Sequence, residues 1–310
     1  MQRIIGEFSL SNPGPLLICI GGMHGNEIAG VEAIRQVFSV LEHRRETARD
    51  FQFNGTMVGF VGNVSATDQG VRFITEDLNR LWTANRIKQI ADKPEKLLED
   101  EERELSELKQ TILNYIAEVD APSVILLDLH TTSADGGIYT IVSDDKSNIE
   151  FATKLNSPVV LGILDELAGT TLHYFTSDLI GKDLISLCFE AGLHSDPLSI
   201  QRSMAVISMC LTIGGLYCVD ESLFLREVEM LESYSARLPS VTRVVYRHSI
   251  TQTDKFLMLP GFQNFDPVTE GQILAHDKTG PIKAVCNGFI LMPLYQAQGN
   301  DGFFIVAAEN

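Results

Sequence analysis

"GPLLICIGGMHGNEIAG", residues 14–30, reads as a strand, a glycine turn and the opening of a helix. The apolar run stops at glycine, the pattern of a buried strand. Val31, Ile34, Phe38 and Leu41 then recur at helical spacing, so residues 27–41 are expected to form an amphipathic helix capped by Asn26. Similar apolar runs follow in "TMVGFVG" (56–62), "SVILLDLH" (123–130), "GGIYTIVS" (136–143), "PVVLGIL" (158–164) and "LISLCFEAG" (184–192). Near-continuous apolar strands separated by helices indicate a sheet covered on both faces, hence an α/β fold. Residues 97–119 place Leu105, Leu108, Ile112, Tyr115 and Val119 on one helix face, and their acidic run is expected on a solvated side. A further helix is expected after Asp196 as cap and Pro197 in the first turn, with Ile200, Met204, Ile207 and Leu211 facing inward.

From about residue 240 the texture changes to short strands broken by Gly, Pro, Asn and Asp turns. The expected organisation is therefore an α/β domain over 1–220, a partly helical linker over 221–239 and a small, barrel-like all-β domain over 240–310 that shapes or covers a cleft.

Composition narrows the function classes. The 310 residues are 45% hydrophobic and 21% charged, as in an ordinary globular protein. The net charge of −17 argues against nucleic acid, which requires a basic face. No apolar run approaches the roughly 20 residues of a membrane span, and the first residues, "MQRIIGEFSL", do not read as a signal peptide. Cys19, Cys188, Cys210, Cys218 and Cys286 form no CxxC pair, so reduced core thiols and a cytoplasmic location are expected. An anionic ligand, in so acidic a chain, needs a local cluster of positive charge.

Four motifs carry chemistry. His24 and Glu27 are three apart on the glycine turn; alone they fit a turn or capping role as well as a metal site. His130 ends a buried strand, where open α/β sheets bind ligands, and it completes a set of two histidines and one glutamate. Three protein ligands with an open position are the arrangement of a catalytic zinc, and Asp128 on the same strand face could orient His130. Arg72, Asn79 and Arg80 in "RFITEDLNR" supply the required positive cluster, unless Glu76 and Asp77 merely pair with the arginines. Glu190 ends another apolar strand, where desolvation raises a carboxyl pKa toward that of a general base. His173 and His194 are further candidates for the pocket.

HGNE, RxxxxDLNR, DLHTT and a strand ending FEAG, in that order, resemble the succinylglutamate desuccinylase and aspartoacylase family, a branch of the zinc carboxypeptidase-like hydrolases. "EGQILA", "NGFILMPL" and "GNDGFF" extend the resemblance toward the C-terminus. It implies a zinc-carboxypeptidase-like mixed sheet and one zinc per chain bound by His24, Glu27 and His130. It also implies Glu190 as the base that activates water, Arg72 against the oxyanion, and Asn79 and Arg80 on a substrate carboxylate. The implied reaction is amide hydrolysis of a small anionic substrate such as an N-acyl amino acid. A carboxypeptidase acting on short peptides and a silent small-molecule-binding homologue are the alternatives, and self-association stays open. Relatives acting on acidic substrates supply another Arg before the Glu strand. Here "TSDLIGKDLISL" offers only Lys182, which becomes the candidate substitute. Phe303 or Phe304 stands where the aspartoacylase branch offers a Tyr.

Overall fold

The computed structural model describes residues 1–217 and 225–309. Strands β1 (Ile4–Ser9), β2 (Leu16–Gly21), β3 (Thr56–Val61), β4 (Ser123–Thr132), β5 (Tyr139–Val142), β6 (Val159–Leu161) and β7 (Asp183–Leu193) build the first part of a mixed sheet. β8 (Val241–Ser249), β9 (Leu257–Met258), β10 (Pro267–Val268), β11 (Ile273–Asp277), β12 (Gly280–Lys283), β13 (Gly288–Leu291) and β14 (Asp301–Ala308) follow. Among the described residues eleven strands form one sheet in the order β1-β3-β2-β4-β7-β5-β6-β8-β14-β13-β10, and β12-β11-β9 form a small antiparallel one.

The alternation along each strand explains the apolar runs. Leu17, Cys19, Leu127 and Leu129 pack on one face, against helices Ala29–Thr47 and Leu198–Ile213. Leu16, Ile18, Ile20 and Leu126 pack on the other, against Leu105, Leu108 and Ile112 of helix Asp100–Glu118. Both faces are buried, so the strands show no polar alternation. At the carboxyl end of β4 the second row turns polar, from Val124 and Leu126 to Asp128 and His130, all still buried.

Three local expectations change. Asn26 does not cap the first helix: that helix begins after Ile28 without a side-chain cap, and Asn26 Nδ2 instead donates to Gln296 at 3.4 Å. The acidic run is not a solvated side, because Glu101, Glu102 and Glu104 are buried against loops on either side of them. The chain beyond residue 240 divides: β8 joins β6 in parallel, at Val159↔Val241, and β14, β13 and β10 continue the main sheet. β9, β11 and β12 pack on these last strands through Met258, Leu274, Ala275, Ile290 and Phe303. Cys19, Cys188 and Cys210 are buried free thiols and Cys286 a half-buried one, while Cys218 lies outside the described residues. No described helix is long and apolar enough to cross a membrane.

Candidate metal centre

Strands β2, β4 and β7 run parallel and end together, with Gly21 opposite Leu129 and His130 opposite Glu190. Beyond β2 the chain turns sharply at Gly22, whose φ of 69° is left-handed and suits glycine. Gly25 then presses on helix Val64–Gln69, where a Cβ would lie 2.1 Å from the Ala66 carbonyl carbon. Glu27 N donates to His24 O at 3.0 Å, and this turn brings both side chains inward.

His24 Nδ1 lies 2.9 Å from Glu27 Oε1, and His130 Nδ1 3.1 Å from Glu27 Oε2. One donor atom from each residue falls within 4.8 Å of the others, so the three could hold a single metal ion. The opposite ring nitrogens face carboxylates: His24 Nε2 is hydrogen-bonded to Asp77 Oδ1 at 3.1 Å, and His130 Nε2 lies 3.3 Å from Asp128 Oδ1 as an ion pair without hydrogen-bond geometry. A carboxylate behind a histidine fixes the ring and leaves the other nitrogen's lone pair for a cation. Thr171 Oγ1 in turn donates to Asp128 Oδ2 at 2.7 Å, which fixes that carboxylate.

The buried groups compensate one another. Burial alone would raise the Glu27 carboxyl, but His24 and His130 outweigh it and hold the pKa well below the usual range. Burial opposes charging of His130, yet Asp128 and Glu27 hold its imidazole well above its ordinary value. Asp77 is likewise held low, its desolvation outweighed by His24, Arg72 and Arg80. Glu190 behaves differently. Burial pushes its carboxyl up to about 8 although His130 and Arg72 pull the other way, and its Oε2 has no hydrogen-bond partner among the described residues.

Arg72 reaches Glu27 Oε1 and Asp77 Oδ2, both at 3.2 Å, while its buried Nε is unpartnered among the described residues. The two pairings use the Nη groups and leave the guanidinium edge at Nε uncommitted. Asn79 Oδ1 accepts from Thr171 N at 3.4 Å, which leaves its amide NH2 to donate. Arg80 donates to Asn79 O at 2.8 Å and lies 3.3 Å from Asp301 Oδ2. His24, Glu27, His130, Glu190, Arg72, Asn79 and Arg80 all line one cavity of about 120 Å³.

Lys182 is not brought there. Its ammonium donates to Ile116 O and Val119 O, at 3.1 and 3.0 Å, at the end of helix Asp100–Glu118. The physical reason is local, since a helix ends in unpaired carbonyls that attract a nearby cation. His173 and His194 do not line the cavity either: His173 caps its own turn through Thr170, and His194 sits behind Thr131 Oγ1 at 2.7 Å. Phe303 and Phe304 are fully buried in β14.

Sequence reasoning missed Asp77 as a residue that holds His24; its only sequence signal was its place before Leu78–Arg80, whose short helix it does cap. It also missed Tyr139, which faces Glu190 across β5 and β7 with its hydroxyl unpartnered among the described residues. A Tyr inside an apolar strand carries no signal beyond core. Met292, Leu294, Gln296 and Asp301, from the chain beyond residue 240, complete the cavity wall.

The donor set suits a divalent cation such as zinc, which would take the lone pairs of two imidazoles and the charge of one carboxylate. Glu190 and Arg72, each with an unpartnered buried atom, line the same cavity as that set. Residues 13–213 match the model of the succinylglutamate desuccinylase/aspartoacylase catalytic domain. Aspartoacylase of Xenopus tropicalis is 30% identical over 138 residues, 44% of this chain and 40% of that protein. A probable aspartoacylase of Prochlorococcus marinus is 26% identical over 207 residues, 62% of this chain and 60% of its own length. The matches thus span about half the length of these relatives. The succinylglutamate desuccinylase structure from Chromobacterium violaceum superposes with a TM-score of 0.62 at 18% identity, over 97% of this chain and 86% of that one, and supports the fold.

Proposed function

The chain belongs to the succinylglutamate desuccinylase/aspartoacylase family, and from that premise we propose that it is a zinc-dependent hydrolase of N-acyl amino acids. The observation that carries the reading is one buried constellation. The His24–Glu27–His130 set stands beside an under-partnered Glu190, and two arginines and an asparagine line the same cavity. A zinc ion on the three ligands would polarise the amide carbonyl and lower the pKa of the attacking water toward about 7.

The chain's own residues supply the rest. Glu190 takes a proton from that water as its oxygen bonds to the carbonyl carbon, then delivers the proton to the departing nitrogen. Burial raises the Glu190 carboxyl, and a dication on the three ligands would draw it down toward the ionised base. Arg72 stabilises the charge that develops on the carbonyl oxygen, an interaction worth about 3 kcal/mol in such settings. Arg80 and the Asn79 amide hold the substrate carboxylate. Asp77 and Asp128 keep the two imidazoles in place.

The test is a panel of N-acyl amino acids varying both halves, with short dipeptides alongside, assayed with and without a chelator on protein of known metal content. The expected result is about one zinc per chain and chelator-sensitive hydrolysis of N-acyl amino acids. Faster cleavage of dipeptides turns the reading toward a carboxypeptidase. Saturable binding without hydrolysis of anything in the panel overturns the enzyme.

A further inference from the structure

The cavity lining is apolar as well as polar. Helix Ile163–Glu166, Leu167 just beyond it and helix Thr171–Tyr174 contribute Ile163, Leu164, Leu167 and Leu172 to its wall, and Met292 and Leu294 add further apolar surface. This wall is fastened to the carboxylate clamp. A Cβ on Gly169 would lie 2.3 Å from Arg80 O, Trp82 N donates to Gly169 O at 3.1 Å, and Thr171 N donates to Asn79 Oδ1.

The charges point the same way. Arg72 and Arg80 are the only arginine or lysine side chains among the described cavity residues, and Arg72, held by Glu27 and Asp77, has its remaining edge assigned to the carbonyl oxygen. Arg80 already shares its guanidinium with Asp301, which Arg247 Nε also holds at 2.7 Å. Asp301 thus puts a fixed negative charge beside the one clamp open to a substrate. Among the described cavity residues a second substrate carboxylate meets no further arginine or lysine.

We propose that the chain selects N-acyl amino acids whose only charge is the α-carboxylate, with an apolar amino-acid side chain seated on Leu164, Leu167 and Leu172. This rests on the deacylase reading and names its substrate class. Carboxylate and side chain leave the same carbon, so a wall fastened to the clamp meets the side chain rather than the acyl group.

The test compares kcat/KM for N-acetylleucine, N-acetylmethionine, N-acetylaspartate, N-succinylglutamate and N-hexanoylglycine on zinc-loaded protein. The apolar N-acetyl substrates are expected to lead by about tenfold or more. Leu167 is half-buried, and Leu167→Arg is expected to reverse the order, lowering N-acetylleucine and raising N-acetylaspartate, with thermal melting used to confirm folding. Equal or faster turnover of the acidic substrates by the natural chain overturns the proposal. So does N-hexanoylglycine matching N-acetylleucine, since the wall would then hold the acyl half. If nothing is hydrolysed the deacylase reading fails, and calorimetry decides this proposal alone. Tighter binding of N-acetylleucine than of N-acetylaspartate supports it, and the reverse overturns it.

Discussion

Buried carboxylates lie on both sides of the loop of residues 72–80, and one of them, Glu190, is built on opposite terms from the rest. At the start of helix Asp100–Glu118, Glu101 accepts from Asn63, Ile74, Thr75 and Glu76, while Glu104 accepts from Val64, Ser65 and Arg3. Glu102 is held by Lys93 and Arg86. Burial alone would raise all three carboxyls, but this supply of donors holds each below the ordinary range. The positive end of the helix favours the same charges. In the cavity Glu27 and Asp77 are held low in the same way, by histidines and arginines, but at Glu190 the balance is reversed: it stands at about 8, with an oxygen unpartnered among the described residues. Glu101, Glu102 and Glu104, supplied with donors from the surrounding backbone and side chains, are framework, while Glu190, left short of them, is ready to accept a proton.

The sharpest break of this comparison is at its unsaturated end. Glu190→Gln keeps the shape and removes the base, so turnover on a verified substrate should fall by about 10²- to 10⁴-fold with zinc content unchanged. Near-normal turnover would remove Glu190 from the chemistry. Next in size is Asp77→Asn, at the junction of the two regions. It weakens the hold on His24 Nε2 and Arg72 Nη2, so zinc affinity measured by chelator competition should drop about 10- to 100-fold. An unchanged affinity would make Asp77 part of the loop's framework only.

At the saturated end the effect moves from activity to stability. Glu101→Gln leaves several donors facing a neutral amide and should cost about 2 kcal/mol in chemical denaturation. The pH dependence has a definite sign. A carboxyl held below its unfolded value stabilises fully above about pH 4.5, and that contribution is lost as pH falls through the folded pKa. The gap between natural and Glu101→Gln stabilities should therefore narrow below about pH 4.5. A constant gap would mean that the donors matter and the charge does not.

The fold was legible because its strands carry apolar residues on both faces and its helices on one; those periods depend only on neighbours in the chain. His24, Glu27, His130 and Glu190 were legible for a related reason: each is a chemically capable residue where an apolar run stops, and parallel strands bring such ends together. What could not be read were the partners. Glu101 looks solvated until the amides of residues 74–76 are placed against it, and Asp77 looks like a surface pair for Arg72 until His24 is placed beside it. Asn26 has the right residue type for a cap, but the turn that positions Glu27 carries it toward Gln296.

Lys182 shows the same limit with the opposite sign of charge and gives the smallest predicted effect. By composition it was the one cation available to replace a missing arginine; by position it closes a helix, donating to Ile116 O and Val119 O. Lys182→Met should then cost about 1 kcal/mol of stability, the scale of a lost helix-end interaction. It should leave kcat/KM within about twofold for apolar and acidic substrates alike, because uniform binding is untouched. A tenfold loss confined to acidic substrates, with melting unchanged, would return Lys182 to substrate recognition. It would also show that a saturated contact in the free protein can be exchanged for a ligand, the one result that blurs the line between framework and site.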